Sequence, residues 1–376
     1  MKKYINWLAY ITLFIAFIIG YVSFNNNNEL SKLELLVNNH LQLGESDSGI
    51  YKVFKNEQLF GYFSIGESQG YGGPLRVAIV TDTSGVIVGS ELVNSFETVS
   101  FLAKLANKKY YEQYIGKAIN DRFELKNDVQ AVSGATVSSL AIANASREAS
   151  YKIAKDKLAI SVPKIEKAWR FTPKEGIVVL IFTLGVLAVF IRKKQIRYIS
   201  LFLGLIFIGF SFNASLSLTH FGRAILGYFP DIHTHIVWWL LMVGTFTIII
   251  IWGKNVYCST MCPFHATQIL LNKISGINLK LPPKLARILA KTPFILLWLS
   301  LIIIFISANP TIASYEPFAM LFSLKGAGVQ WYILPASLIG ALFFSDFFCR
   351  FFCPVGGALR WMQKIRTKVI ALISNK

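Results

Sequence analysis

IVWWLLMVGTFTIIIIWGKNVYCSTMCP, residues Ile236–Pro263, runs from an uncharged apolar stretch through one lysine to two cysteines and a proline. Ile236 to Trp252 is long and apolar enough to read as a helix that enters a bilayer. Cys258 and Cys262 have the form C-x3-C-P, and the form recurs at Cys349-Arg-Phe-Phe-Cys353-Pro354; these are the only four cysteines of the chain. A spacing of four places both sulfurs of a pair on one face of a helix, and the proline ends or redirects that segment. Two pairs together supply four thiolates, the ligand count of an iron–sulfur cluster or of a structural zinc. Residue types alone leave the choice of metal open.

The setting is a membrane. Of 376 residues, 54% are hydrophobic and 15% charged. Six apolar runs stand out: Ile5–Phe24, Ile177–Ile191, Ile199–Leu218, Ile236–Trp252, Phe294–Ile312 and Trp331–Phe348. The net charge of +18 invites a nucleic-acid reading, but residues 26–172 hold 17 Lys and Arg against 16 Asp and Glu. The excess lies beside the apolar runs, so lipid and not nucleic acid is the expected partner. Lys2 and Lys3 precede run one; Arg192, Lys193, Lys194 and Arg197 follow run two. Lys254, Lys273, Lys280, Lys284, Arg287 and Lys291 follow run four, and Arg350, Arg360, Lys364, Arg366, Lys368 and Lys376 follow run six, with no acid among them. The other connections carry Arg223 and Lys325 against Asp231 and Glu316. The positive-inside rule then gives six transmembrane helices in the cell (inner) membrane, both termini cytoplasmic, and the segment after run one outside. The expected organisation is an uncleaved signal anchor (1–27), an extracytoplasmic domain (28–172), a five-helix membrane domain (173–355) and a basic cytoplasmic tail (356–376).

This topology puts both cysteine pairs at the cytoplasmic surface, where a lasting disulfide is disfavoured. C-x3-C-P is also the second half of the bacterial ferredoxin pattern, whose first half is missing here. A cluster would therefore draw two ligands from each pair. Outside the membrane, residues 30–165 read as a mixed α/β domain: a helical stalk over Leu30–Leu43, strands at Leu59–Ile65, Leu75–Thr81 and Val86–Leu92, and helices over Val99–Asn107 and from Thr136 to Ala154. Ser133-Gly134-Ala135-Thr136 opens the last helix. Its small residues and free N–H groups suit a phosphate; the alternative is a plain Ser/Thr cap.

Ser133-Gly134-Ala135-Thr136 resembles the S-G-A-T attachment motif of FMN-binding domains in redox-pump subunits and in the NosR/NirI family. Gly70-Tyr71-Gly72-Gly73-Pro74 and Glu97-Thr98 resemble the G-Y-G-G-P and E-T stretches of the same domains. The resemblance implies FMN joined to Thr136 through a phosphodiester made by an exported ApbE-type flavin transferase, with Ser133, Gly134, Ala135, Gly72, Gly73, Glu97 and Thr98 around it. Gln130 departs from the motif, which has Asp at that place; Asp128 lies two residues upstream. One anchor, an exported flavin domain, five further spans and two C-x3-C-P motifs resemble NosR/NirI proteins over nearly the whole chain. The ferredoxin-like domain that follows in typical members, with eight clustered cysteines, is missing from this sequence.

The implied function is electron transfer from a cytoplasmic ferredoxin-like or quinol donor, through a centre on Cys258, Cys262, Cys349 and Cys353, to FMN and an external reductase such as nitrous oxide reductase. The hydrocarbon core is about 30 Å thick, too wide for one fast hop. Either the flavin domain approaches or a relay lies between. His220, His233 and His235 gather near the outer surface; they suit a haem or a quinone, or simply the needs of helix ends. His265 is placed as a replacement metal ligand, and Asp346 needs water or a partner so near the membrane. A membrane-bound redox sensor or maturation factor for a respiratory reductase fits the same features. A solute transporter lacks the matched interrupted spans it would need.

Overall fold

The computed structural model describes residues 2–25, 41–97, 99–132, 135–165, 169, 171–324 and 328–374. Most of the expected Leu30–Leu43 stalk, Ser133, Gly134 and Thr98 lie outside the described residues.

After helix α1 (Lys2–Asn25), the chain forms a five-stranded antiparallel meander: β1 (Leu41–Asp47), β2 (Ile50–Lys55), β3 (Gln58–Gln69), β4 (Pro74–Asp82) and β5 (Ile87–Ser95). Residues 41–43, expected to be helical, are therefore strand, paired with 53–55 of β2. Helical spacing of Leu41 and Leu43 was overruled by this pairing; Ser48 and Gly49, both with positive φ, supply the tight turn that makes it. Helix α2 (Val99–Asn107) and helix α3 (Thr136–Asp156) follow, and α3 lies across β3 and β4. Its small residues Ala141, Ala145 and Ala149 are fully buried and bring the helix close to the sheet. At Gly66 a Cβ would stand 2.0 Å from the Ala145 carbonyl oxygen. The expected mixture of strands and helices is present, in an arrangement whose sheet is wholly antiparallel and packed by α3.

The second half is helical. It comprises α4 (Pro173–Ile191), α5 (Lys194–Leu203, continued by a π-helical stretch Gly204–Ser211), α6 (Leu218–Leu226), α7 (Ile236–Trp252), a π-helical turn Tyr257–Met261, α8 (Pro263–Ser275), α9 (Pro283–Leu289), α10 (Thr292–Ser307), α11 (Phe318–Ser323), α12 (Gln330–Phe343), α13 (Phe347–Phe351) and α14 (Pro354–Ser374). Among the described residues, three helices are long and apolar enough to cross a membrane: Pro173–Ile191, Lys194–Ser211 and Pro283–Ser307. Trp7–Val22, Ile236–Trp252 and Gln330–Phe343 are apolar but shorter. Helix α1 joins this half by packing on α10, where Gly20 leaves room for the Phe305 carbonyl and Trp298 Nε1 donates to Thr12 Oγ1 at 3.2 Å.

Three apolar runs end sooner than expected, run five among them, which stops at Ser307 before Ala308 with φ of 49°. Run three stops at Ser211, and Leu218 starts α6 under a capping box made by Ser217 and His220. Run six stops at Phe343, and the chain turns through Asp346, with φ of 57°, into α13. Residues 356–374 are no separate tail: α14 runs unbroken from Pro354, and Arg366 Nε donates to the Ile250 carbonyl at the end of α7.

Gly66 gives the fold a direct test. Gly66→Val should lower the melting temperature through an overpacking cost on the order of 1–3 kcal/mol. Gly89→Ala, whose Cβ would meet Val80 Cβ at an ordinary 3.5 Å, should leave it nearly unchanged.

Candidate redox sites: a flavin-domain turn and a four-cysteine cavity

Gly70 to Pro74 form the turn between β3 and β4, closed by a 2.8 Å hydrogen bond from Gly70 N to the Gly73 carbonyl. The next partner is Glu97: its Oε1 accepts from Tyr71 N at 2.6 Å. A Cβ at Gly70 would lie 2.0 Å from that carboxylate oxygen, and one at Gly72 would lie 2.0 Å from the Phe96 carbonyl oxygen. Only glycine fits at either position. Glu97 is buried, and burial pushes its carboxyl above the ordinary carboxylate range, opposed by the Tyr71 N–H and the nearby Ser138 hydroxyl. Glu97 Oε2 and Ser138 Oγ are buried next to each other, and neither makes a well-formed hydrogen bond. Such orphaned atoms are costly unless a ligand or water uses them, so this corner of the domain suits a polar ligand.

Thr136 is the first residue of α3, and the cap before it is Ala135, which makes no side-chain bond. Thr136 is exposed and is not the Ser/Thr cap of the simpler reading; it opens the first turn, where a helix has N–H groups without intrahelical partners. Asp128 points elsewhere. Its two oxygens accept from Phe123 N at 2.8 Å and Glu124 N at 2.6 Å, so it shapes its own loop.

The glycine turn does not face open solvent. Arg223 of α6 donates through Nη1 to the Tyr71 carbonyl at 2.6 Å and through Nε to the Tyr228 carbonyl at 3.2 Å. Thr311 Oγ1 donates to the Phe96 carbonyl at 3.1 Å, and the Phe96 ring stacks on Tyr228 with centroids 5.6 Å apart. The Tyr71 ring stands 6.3 Å from that of His220. Gly72, Gly73 and Glu97 are thereby held against the helical half. None of the clamping residues stood out in the sequence: Arg223 looked like a loop charge, and Thr311 looked like part of an apolar run.

The three outer histidines do not converge. His220 Nδ1 accepts from Ser217 N at 3.1 Å, His233 Nδ1 sits 2.9 Å from Asp231 Oδ1, and His235 Nδ1 sits 2.8 Å from Thr234 Oγ1. Each has its Nδ1 engaged by a neighbour on its own segment.

The four cysteines do meet. Cys258, Cys262, Cys349 and Cys353 line one cavity of 370 Å³, together with Arg197, Arg350 and Arg360. Continuous helical C-x3-C geometry is not how this is done. Cys258 lies in the π-helical turn, Cys262 has extended backbone with ψ of 117° and caps α8, and Pro263 is the first residue of that helix. Cys349 lies in α13 and Pro354 opens α14, so the second motif repeats the plan. Each proline begins a helix, the position where its missing N–H costs nothing. Each second cysteine therefore sits at a helix N-terminus, where N–H groups and the dipole favour a thiolate. Gly356 N donates to Cys353 Sγ at 3.3 Å.

Gln268 of α8, fully buried, donates through Nε2 to Cys349 Sγ at 2.9 Å and accepts from Phe348 N at 2.8 Å. His265 is not a spare ligand. Its Nδ1 is 2.6 Å from the Cys258 carbonyl and its Nε2 is 3.0 Å from Asp346 Oδ1, so it also joins the two motifs and gives Asp346 its partner. Among the described residues, no three or more His, Cys, Asp or Glu side chains gather closely enough to hold a single metal ion. With Zn–S bonds of about 2.3 Å, zinc would need such a gathering. Four cysteines spread around a cavity, with N–H donors on their sulfurs, suit a polynuclear cluster better.

Met261 packs on Gly204 and Gly185, and Pro263 on Gly209, where added Cβ atoms would approach within 2.5–3.0 Å. Gly204 is seven residues from the Ser211 end of α5, about 10 Å at helical rise. That end adjoins the flavin-domain side of the bundle, because α4 starts there and α5 returns to it. From the same side, Tyr315 reaches in so that its hydroxyl donates to the Phe352 carbonyl at 2.7 Å, and Leu216 N donates to the Tyr257 hydroxyl oxygen at 2.8 Å.

Comparison with known proteins agrees with both sites. An FMN-binding domain family matches residues 70–150, and a 4Fe-4S binding domain family matches residues 234–282 and 332–371. The regulatory protein NosR of Pseudomonas aeruginosa is 31% identical over 145 residues, which is 34% of this chain and 19% of that protein. NirI of Paracoccus denitrificans is 27% identical over 192 residues, 46% of this chain and 27% of NirI. A component of the proton-translocating ferredoxin:NAD(+) oxidoreductase complex of Clostridium ljungdahlii is 27% identical over 105 residues, 26% of this chain and 56% of that component. The matched stretches thus span about a fifth to a quarter of the NosR and NirI relatives. With an FMN-binding and a 4Fe-4S binding domain on one polypeptide, the chain is a NosR/NirI-type flavoprotein.

Proposed function

We propose that this protein passes electrons across a membrane, between an iron–sulfur centre on Cys258, Cys262, Cys349 and Cys353 and FMN joined to Thr136. One observation carries the reading. Leu216 lines the cysteine cavity, and His220, four residues on, stands against Tyr71 of the flavin-domain turn. Four peptide steps span at most about 15 Å between Cα atoms, half of the ~30 Å hydrocarbon core. This proximity supports a path between the two sites shorter than the full hydrocarbon core.

In this account the chain's own residues do four things. The helix N-termini at Cys262 and Cys353 and the Gln268 carboxamide stabilise thiolates. Arg223, Thr311 and Tyr228 hold the flavin domain on the bundle. Glu97 and Ser138 offer polar atoms to the bound group. Exposed Thr136 remains open to an ApbE-type transferase. A bound flavin supplies the exchange between one-electron and two-electron chemistry. The charge pattern supports cytoplasmic termini and an extracytoplasmic flavin domain, with a ferredoxin-like or quinol donor inside and a reductase acceptor outside. Because NosR is named a regulatory protein, a redox sensor is the second reading; it predicts only stoichiometric reduction where electron transfer predicts turnover.

Two variants test the assignments. Thr136→Ala should abolish in-gel flavin fluorescence after denaturing electrophoresis; fluorescence equal to wild type would remove Thr136 as the attachment point. Cys258→Ala and Cys349→Ala should each lose the bound iron to the same extent, measured as iron per polypeptide. Loss from one alone would mean the two pairs do not share a site.

A further inference from the structure

Three arginines line the cysteine cavity, and they are not equivalent. Arg197 has its Nε committed to the Ser259 carbonyl at 3.0 Å. Arg350 lies with its guanidinium 5.1 Å from the centroid of the neighbouring Phe351 ring. Arg360 is different. It lies on α14 seven residues after Cys353 and four after Gly356, the residue whose N–H meets the Cys353 sulfur, so it occupies the same helix face one turn further on. Its guanidinium packs 5.9 Å from the Phe294 centroid, and its Nη2 is buried without a hydrogen-bond partner.

A buried guanidinium N–H left unpaired is costly. An arginine kept in an apolar bundle with a free donor is therefore aimed at something that accepts. The acceptors that share the cavity wall with it are Asp346, whose Oδ1 lies 3.0 Å from His265 Nε2, and the four cysteine sulfurs. Four thiolates around a polynuclear centre leave that centre net negative, and reduction makes it more so. A cation at the wall lowers the energy of the reduced form most, and hydrogen bonds to sulfur act in the same direction.

We propose that Arg360 is a positioning residue for the four-cysteine centre, its guanidinium on the cavity wall and its charge raising the reduction potential of the centre. The proposal rests on the reading that the four cysteines hold an iron–sulfur cluster. It gives the two motifs distinct duties: the first supplies the half-buried sulfur of Cys258, and the helix that follows the second supplies a cation on the cavity wall.

The test is a redox titration, followed by electron paramagnetic resonance, of purified full-length protein loaded with iron. Arg360→Gln should retain iron and shift the midpoint to more negative values. Arg360→Lys, which keeps the charge, should recover most of the shift. Arg197→Gln, which removes an arginine already committed to a carbonyl, should move the midpoint less. If Arg360→Gln proves unstable, the Lys variant decides: a signal with altered g-values but a nearly wild-type midpoint supports a lost hydrogen bond with charge retained. An unchanged midpoint in iron-replete Arg360→Gln, or equal shifts from Arg197→Gln and Arg360→Gln, would overturn the proposal. Wild-type protein that binds no iron would instead remove the four-cysteine reading beneath it.

Discussion

Gln268 is the contact on which the rest depends. Two cysteine pairs far apart in the chain make one site only if α8 and α13 are locked together, and this carboxamide joins them across 81 residues of sequence. Its two ends satisfy a sulfur and the Phe348 N–H at once. A buried amide is tolerable only when fully used, so the geometry that satisfies Gln268 also fixes where Cys349 stands relative to Cys262. His265 repeats the tie nearby through the Cys258 carbonyl and Asp346. Around this lock lie Phe264, Phe318 and Phe348, with ring centroids 5.1–6.0 Å apart, which seal the inner wall.

The flavin domain is held by a smaller set of contacts, and they are mostly polar. Arg223, Thr311 and Tyr228 reach the backbone or ring of Tyr71 and Phe96, the residues flanking the glycine turn and Glu97. Binding main-chain carbonyls fixes position without depending on the side chains presented. Below this seat, Glu316 accepts from Leu218 N at 2.6 Å and from Ser314 at 2.8 Å, so the loops carrying Leu216 and Tyr315 are tied to each other as they enter the bundle. Sites that seemed a membrane's width apart thus share a wall of a few residues.

Much of this was legible in the sequence. Apolar runs gave the helices, β-rich alternation gave three of the five strands, and the repeated C-x3-C-P picked out the four cysteines that line the cavity. What could not be read was depth. Runs Ile199–Leu218 and Trp331–Phe348 look like single spans because re-entrant segments are as apolar as spanning ones. Their true ends are set by the Ser217–His220 capping box and by the positive φ of Asp346. Gln268, Arg223 and Glu316 were invisible for a related reason: each is one polar residue in an apolar stretch, and only the fold tells a buried clasp from a loop charge. The π-helical turn at Tyr257–Met261, which separates the two cysteines of the first pair onto different elements, has no recognisable signature in composition.

The central claim is that the cysteine centre feeds the flavin through the helical half. Rapid mixing of sealed vesicles holding the loaded protein, with a low-potential reductant confined to the face that carries Lys273 and Lys284, tests it by flavin absorbance. Bleaching of the flavin in wild type, with none in a Cys349→Ala variant that retains covalent flavin, is the predicted result. Bleaching at the same rate in both proteins would contradict it.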